Sequence, residues 1–258
     1  MTSKEHSGVM PWLDLRLTKE TMDHLWDCIN NPTNTQDKDA VETTSKSKHI
    51  QDKNDWLCEN VLKEVSEHMY FKDWNSYFEV AISKSKSLPT FILKALWVNY
   101  QKQKEFVPPH GHGSLFSFVI FMQIPTHWKE QHTIPNNETN ASVISLPSCV
   151  SDFQFLLGQG QREILPICIP LCPEDEGRML FFPAWLHHQV FPFFGTEKDR
   201  ITVSGNIVIE EVEQRRTNEM LIALENMEAQ AKLIRESIKH EKIYDEQKTR
   251  GKIKWKIP

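Results

Sequence analysis

Apolar and polar positions follow three different patterns along this chain. From residue 88 to 209 the apolar residues form short β-prone runs separated by Pro and Gly: FILKALWVNY, SLFSFVIFMQI, ASVISL, DFQFLLG, EILPICIPL, RMLFFP, HQVFPF and ITVSGNIVI. No helical period interrupts these runs. They predict a mainly β core with flanking helices, an antiparallel jelly roll rather than alternating strand and helix. Ahead of this region the period is helical. In LTKETMDHLWDCIN, Leu17, Met22, Leu25, Trp26 and Ile29 recur at helical spacing behind Thr18, predicting a short amphipathic helix. Trp56, Val61, Leu62 and Val65 share one face of a second helix over residues 55–68. Both read as covers for a sheet. NPTNTQDKDAVETTSKSK, between them, is polar and without aromatics, and reads as a surface loop.

Past Glu210 there is no Pro or Gly until Gly251, which predicts one long helix. Met220, Leu224, Met227, Ala231, Ile234 and Ile238 recur along it at spacings of four and three, the seam of a helix lying on a sheet or paired with another helix. Docking on the protein's own β region and a homodimer through this helix both satisfy the seam. The closing KTRGKIKWKIP is a basic tail. Three segments result: 1–87, a helical and loop region packing on the core; 88–209, the jelly-roll core; and 210–258, the helix and tail.

Composition narrows the picture. With 258 residues, 39% of them hydrophobic, the chain is long enough to bury a sizeable core. A net charge of -5 argues against a body that wraps nucleic acid, which needs a basic excess. MTSKEHSGVMPWLDLRL holds no apolar run of signal-peptide length, and no segment approaches the roughly 20 apolar residues that span a bilayer. The expectation is a soluble protein of the cytoplasm, the host's if the source is viral. Five scattered cysteines read as reduced thiols. Cys168 and Cys172 have half the spacing of a zinc site but no second pair follows, and Pro170 between them suits a turn. The sequons at Asn137 and Asn140 matter only in a secreted chain.

The candidate chemistry lies in FVPPHGHGSLFSFVIF. Residues one apart in a strand point to the same face, so His110 and His112 can converge on one point, with Gly111 and Gly113 adding no bulk and Pro108-Pro109 stiffening the approach. The bland alternative is two polar residues where a loop enters a strand. MLFFPAWLHHQVFPFFGTEKDR adds His187 and His188 after a strand and turn, with Arg200 twelve residues beyond His188. In RITVSGNIV, Arg200, Thr202, Ser204 and Asn206 share one face and Ile201, Val203, Gly205 and Ile207 the other. The polar face either lines a pocket or meets solvent, and the strand alone leaves both open.

These elements together resemble the iron(II)- and 2-oxoglutarate-dependent oxygenases of the double-stranded β-helix, or jelly-roll, fold. More narrowly, they resemble a group of hydroxylases found in marine bacteria and phages, with the pattern W-x-N, H-x-H, F-P-x-W-L-x-H and R-x-x-x-S-x-N. Here these are Trp97 to Asn99, His110 to His112, Phe182 to His188, and Arg200 through Ser204 to Asn206. The resemblance implies that His110, His112 and His188 are the catalytic metal ligands, with His187 at the rim. It implies that Arg200 and Thr202 take the distal carboxylate of 2-oxoglutarate, and that Asn99 belongs to the same pocket. The family's usual set is two histidines and a carboxylate. This chain has His112 where the carboxylate falls, which leaves the metal more positive by one charge.

The activity implied is hydroxylation of a substrate C–H bond with Fe(II), 2-oxoglutarate and O2, 2-oxoglutarate leaving as succinate and CO2. The resemblance leans towards prolyl-hydroxylase-like enzymes acting on a protein or peptide, with a small-molecule substrate also open. Two other classes fit the residues: a three-histidine cupin-type dioxygenase without 2-oxoglutarate, in which Arg200 and Thr202 would serve the substrate's own carboxylate, and a non-enzymatic jelly-roll binding protein. Iron-dependent succinate production separates the three.

Overall fold

The computed structural model describes residues 10–31, 36–37, 46–71, 89–134, 149–159 and 163–252. The ASVISL run, the sequons and the end of the basic tail lie outside the described residues. The chain separates into two compact units, Met1–Ile209 and Glu210–Pro258.

The first unit opens with β1 (Leu13–Arg16) and α1 (Lys19–Asn30). Thr18 caps α1 as its sequence suggests, its hydroxyl accepting the Thr21 N–H, and α1 buries Leu25, Cys28 and Ile29. After β2 (Gln36–Asp37) and β3 (Lys46–His49), the second helical segment runs through a 3₁₀ turn, a π-helical turn at Cys58–Leu62 and α2 (Lys63–Phe71). The Asp52 carboxylate accepts the Leu57 and Cys58 N–H groups at its start. The remaining elements are β4 (Phe91–Gln101), β5 (Val107–His110), β6 (Phe116–Gln123), α3 (Trp128–Gln131), β7 (Phe153–Gln159), β8 (Glu163–Ile169), β9 (Arg178–Pro183), β10 (His187–Val190) and β11 (Arg200–Ile209).

The described strands form two antiparallel sheets. One has the order β1-β9-β6-β11-β4-β3-β2 and the other β5-β10-β7-β8. From β4 onwards the chain crosses repeatedly between the four-stranded faces β9-β6-β11-β4 and β5-β10-β7-β8, which is the winding of a jelly roll. The larger sheet is covered on both sides. Phe116, Phe118, Ile120, Met179, Phe181, Val203 and Ile207 pack with Leu25, Leu57, Val61, Leu62 and Val65 of the helices. Val119, Phe121, Leu180 and Phe182 pack with Phe153, Phe155 and Leu186 of the smaller sheet and its turn. This explains why FSFVIFMQ is nearly continuously apolar: each of its faces meets a core.

At its described residues 36–37 and 46–48 the NPTNTQDKDAVETTSKSK stretch is strand rather than the expected loop. Its end enters β3, whose Lys46 to His49 pair with Tyr100 to Trp97 of β4, and Ser47 is buried. Backbone pairing to the open edge of an eleven-residue strand holds β3 in place, together with the Ser47 hydroxyl donating to Asn99 Oδ1 at 2.7 Å. Neither leaves a hydrophobic period to read.

One glycine is fixed by packing. Gly205 on β11 faces Phe118, and a Cβ there would lie 2.6 Å from Phe118 Cζ and 2.8 Å from the Ala95 carbonyl oxygen. Gly205→Ala should therefore cost about 1–3 kcal/mol by overpacking. Thermal unfolding should show a lowered midpoint.

In the second unit, α4 (Glu210–Lys252) is a single helix with Glu210, Glu211 and Glu213 in its first turn, where the helix dipole favours negative charge. Met220, Leu224, Met227, Ile234 and Ile238 of the expected seam are exposed, as are Leu221, Ile222 and Leu233 beside it. No helix among the described residues is long and apolar enough to cross a membrane.

Candidate metal centre

His188 meets the closely spaced His110 and His112 because two strand ends are in register. His110 ends β5, and its Cα partner across the sheet is His188 on β10. His112 lies two residues past the end of β5 rather than in the strand, so the shared face expected from a period of two does not bring it to His110. A turn does. The His112 N–H donates to the Ala184 carbonyl at 2.8 Å, and Ala184 N–H donates back to Leu115 O at 3.0 Å. Gly111 permits this approach: a Cβ on it would come within 3.3 Å of Ala184 O and 3.5 Å of Trp185 O.

The resulting cluster places ligand nitrogens of His110, His112 and His188 within 4.8 Å of one another. Ring centroids lie 4.3 Å apart for His110 and His188, and 5.2 Å for His112 with each of the others. His110 Nδ1 lies 2.8 Å from Pro108 O and His188 Nδ1 3.2 Å from Leu186 O. A carbonyl can only accept, so each Nδ1 carries the proton and each Nε2 keeps its lone pair for a metal. His188 is buried against Phe153, Phe155 and Phe182, the Phe153 ring stacking at 5.4 Å. That burial, and then the charges of His110 and His112, hold its pKa well below the usual histidine value. His188 is therefore neutral at physiological pH, the form in which imidazole binds a metal. His187, its neighbour, is exposed and donates Nδ1–H to Trp185 O.

The polar face of β11 looks inward. Residues paired across an antiparallel sheet share a face, and Thr202, Ser204 and Asn206 pair with Phe121, Val119 and Ser117 of β6, whose Val119 and Phe121 belong to the core between the sheets. On the other side, Arg200, Thr202 and Ser204 pair with Gln101, Asn99 and Trp97 of β4. The Trp97 ring lies 5.7 Å from His112. Asn99 Nδ2 donates to Thr202 Oγ1 at 3.3 Å and to Ser204 Oγ at 3.4 Å. Of the residues singled out in sequence, the three histidines thus come together, as do Asn99 and Thr202, while His187 stands outside.

Arg200 is among the largest fully buried side chains, at 1% exposure. One terminal nitrogen, Nη2, donates to Ser151 O and Oγ at 2.8 and 2.7 Å, and the other, Nη1, to Gln101 Oε1 at 3.1 Å. The guanidinium sits 5.0 Å from the centre of the Phe193 ring. Burial pulls its pKa down to about 10, with Asp152 opposing the shift, so it remains charged at neutral pH. Its Nε–H is buried without a partner, as is Asn206 Oδ1. A buried arginine N–H left without an acceptor fits a carboxylate ligand. Three imidazoles whose ligand nitrogens converge, His110 and His188 with Nδ1 held by a carbonyl, fit a divalent transition metal. Gln101 and Ser151 were missed in sequence. Gln101 continues the period of two from Trp97 and Asn99 and could have been read from it. Ser151 sits in a turn at φ +73° and leaves no such signal.

Residues 95–206 match a family model described as "Putative 2OG-Fe(II) oxygenase". The matched stretch contains Asn99, His110, His112, His188, Arg200 and Thr202. Among curated proteins none is similar in sequence. Solved structures similar to this chain include an oxidoreductase of the 2OG-Fe(II) oxygenase family from Burkholderia pseudomallei, 9% identical, covering 77% of this chain and 84% of its own, with a TM-score of 0.48. A prolyl-4-hydroxylase from Pseudomonas putida is 11% identical over 78% of this chain and 94% of its own, with a TM-score of 0.45. A viral collagen prolyl hydroxylase from Paramecium Bursaria Chlorella virus-1, in complex with 2OG, is 10% identical over 78% and 98%, with a TM-score of 0.40.

Proposed function

We propose, from the premise that residues 95–206 are a 2OG-Fe(II) oxygenase domain, that His110, His112 and His188 hold the iron and that Arg200, with Thr202 and Asn99, receives 2-oxoglutarate. The family uses Fe(II), 2-oxoglutarate and O2. When bound, the iron and its co-substrate supply an O2-dependent oxidation in which 2-oxoglutarate leaves as succinate and CO2 and a substrate C–H becomes C–OH. The observation that carries the reading is the pair of complementary features in one interior: three imidazoles aimed at one point, and a buried arginine with an unclaimed N–H on the strand facing them.

The chain's own residues do the following work. His110 and His188 are held by their Nδ1 protons, so neither ring must reorient to bind. Phe153, Phe155 and Phe182 exclude water from the His188 side of the centre. Arg200, fixed by Ser151 and Gln101, supplies a full positive charge at low dielectric, where its attraction for a carboxylate is strongest. The Asn99, Thr202 and Ser204 network supplies hydroxyl and amide groups that can turn towards the same ligand. Trp185 on the turn before β10 and His187 at the start of β10 are exposed beside His188, a position suited to meeting a peptide entering from outside. The substrate class we favour is a protein or peptide, with hydroxylation of the prolyl-hydroxylase kind.

The all-histidine set is testable on its own terms. His112→Asp restores the usual two-histidine, one-carboxylate set, and it should still bind one Fe(II) and retain part of the succinate production. Loss of both iron and turnover in a folded His112→Asp protein would mean that the centre does not accept the usual carboxylate, and full iron occupancy and turnover in a folded His112→Ala protein would mean that His112 is not a ligand.

A further inference from the structure

We infer a second metal site, separate from the three histidines, in which Cys149, Asp152 and Cys168 hold a thiophilic divalent cation of the zinc class. Cys149 and Asp152 bracket the turn that leads into β7, closed by the Asp152 N–H donating to Cys149 O at 3.0 Å. Cys168 is on β8, where its Cα partner is Gln154 of β7. This register brings the two sulfurs to 3.1 Å, and the ligand atoms of Cys149, Asp152 and Cys168 all lie within 4.8 Å of one another. The sulfur separation falls between the roughly 2.05 Å of a disulfide and the roughly 3.8 Å of two thiolates on one tetrahedral zinc.

Two further observations point to a cation. Asp152 is fully buried; its Oδ1 accepts from His132 Nε2 at 2.8 Å, and its Oδ2 has no partner. A buried carboxylate oxygen left unpaired costs free energy that an ion beside it would remove. Gln154 Nε2 also donates to Cys168 Sγ at 3.1 Å and lies 3.8 Å from Cys149 Sγ, while Gln189 Nε2 holds Gln154 by its Oε1. An amide N–H aimed at both sulfurs is the outer hydrogen bond that metal-bound thiolates take. Two sulfurs and one carboxylate leave a fourth tetrahedral position for water.

The ion would also act on the first site. Ser151 lies between Cys149 and Asp152 and takes the Arg200 guanidinium on both its carbonyl and its hydroxyl oxygen. A cation that fixes this turn fixes the arginine assigned to 2-oxoglutarate. That consequence rests on the proposed function; the metal site itself does not.

The test uses the full chain, reduced, stripped of metal and titrated with Co(II) alone under argon. A thiolate-to-cobalt charge-transfer band in the near ultraviolet should rise to the intensity of one two-thiolate site per chain and vanish on adding excess Zn(II). It should persist in His188→Ala, whose histidine centre is disabled, and be absent from the Cys149→Ser/Cys168→Ser double variant. Asp152→Asn should weaken Co(II) by about tenfold or more, the amount that even outer-shell partners cost. If the double variant fails to fold, alkylation of the wild-type chain decides: zinc should protect Cys149 and Cys168 and leave the other thiols unchanged. No charge-transfer band in the wild type, a band that survives the double variant, or no protection by zinc would overturn the site. So would a Cys149–Cys168 disulfide that, once reduced, yields thiols taking up no metal.

Discussion

His188→Ala is expected to lose iron and turnover together. In the proposed centre the ring is one of three donors, with its Nδ1 proton tied to Leu186 O and its Nε2 left for the metal. Removing it leaves two protein ligands on adjacent parts of the chain. Outer-shell partners of a metal ligand already cost about 10–100-fold in affinity when removed, so loss of the ligand itself should exceed about 100-fold. The fold should survive. The truncation leaves space beside Phe153, Phe155 and Phe182 but also removes a buried polar group, and these changes oppose one another. Iron content measured beside a far-ultraviolet circular dichroism spectrum checks both points. His187→Ala is the control, because that side chain is exposed one residue away. A dead His187→Ala beside a fully loaded, active His188→Ala would shift the assignment by one residue.

Arg200→Ala should leave iron content near wild type and weaken 2-oxoglutarate binding sharply. Truncating one side of a buried charge-assisted pair costs about 2–5 kcal/mol, which at 1.4 kcal/mol per tenfold is roughly 30-fold or more in affinity. The substitution also frees Ser151, Gln101 and the neighbouring Asp152 from a cation, so some loss of stability should accompany it. Arg200→Lys separates the two effects. It keeps the charge but not the fork, and should fall between wild type and alanine in 2-oxoglutarate affinity. Calorimetric titration of 2-oxoglutarate into the iron-loaded variants is the measurement. Unchanged affinity in Arg200→Ala would place the co-substrate elsewhere.

The jelly roll was legible because its signal is local: apolar runs of strand length, broken by Pro and Gly, with no helical period between them. The direction of the polar face of RITVSGNIV was not legible. Alternation shows that two faces differ and is silent on which is covered; pairing of Ser204 with Val119 and Thr202 with Phe121 decides it. The histidines could be named from sequence but their meeting could not be derived from strand geometry, since His112 lies beyond β5 and reaches the cluster through a glycine and a bond to Ala184. β3 gave no signal because backbone pairing to β4, rather than a buried stripe, holds it. The Cys168 to Cys172 spacing suggests a pair, yet Cys168 meets Cys149, nineteen residues away, because the β7–β8 register and the turn before β7 bring them together; the Cys172 thiol instead faces Asp175. Contacts fixed by register between distant strands carry no short-range pattern.

Succinate formation by the full wild-type chain, with Fe(II), 2-oxoglutarate and O2 supplied and each then withheld, tests the central claim most directly. The three-histidine reading expects succinate that depends on both iron and O2 and falls to background in His110→Ala and His188→Ala. A wild-type chain that takes up Fe(II) but forms no succinate, or succinate formation that persists without the three histidines, would contradict it.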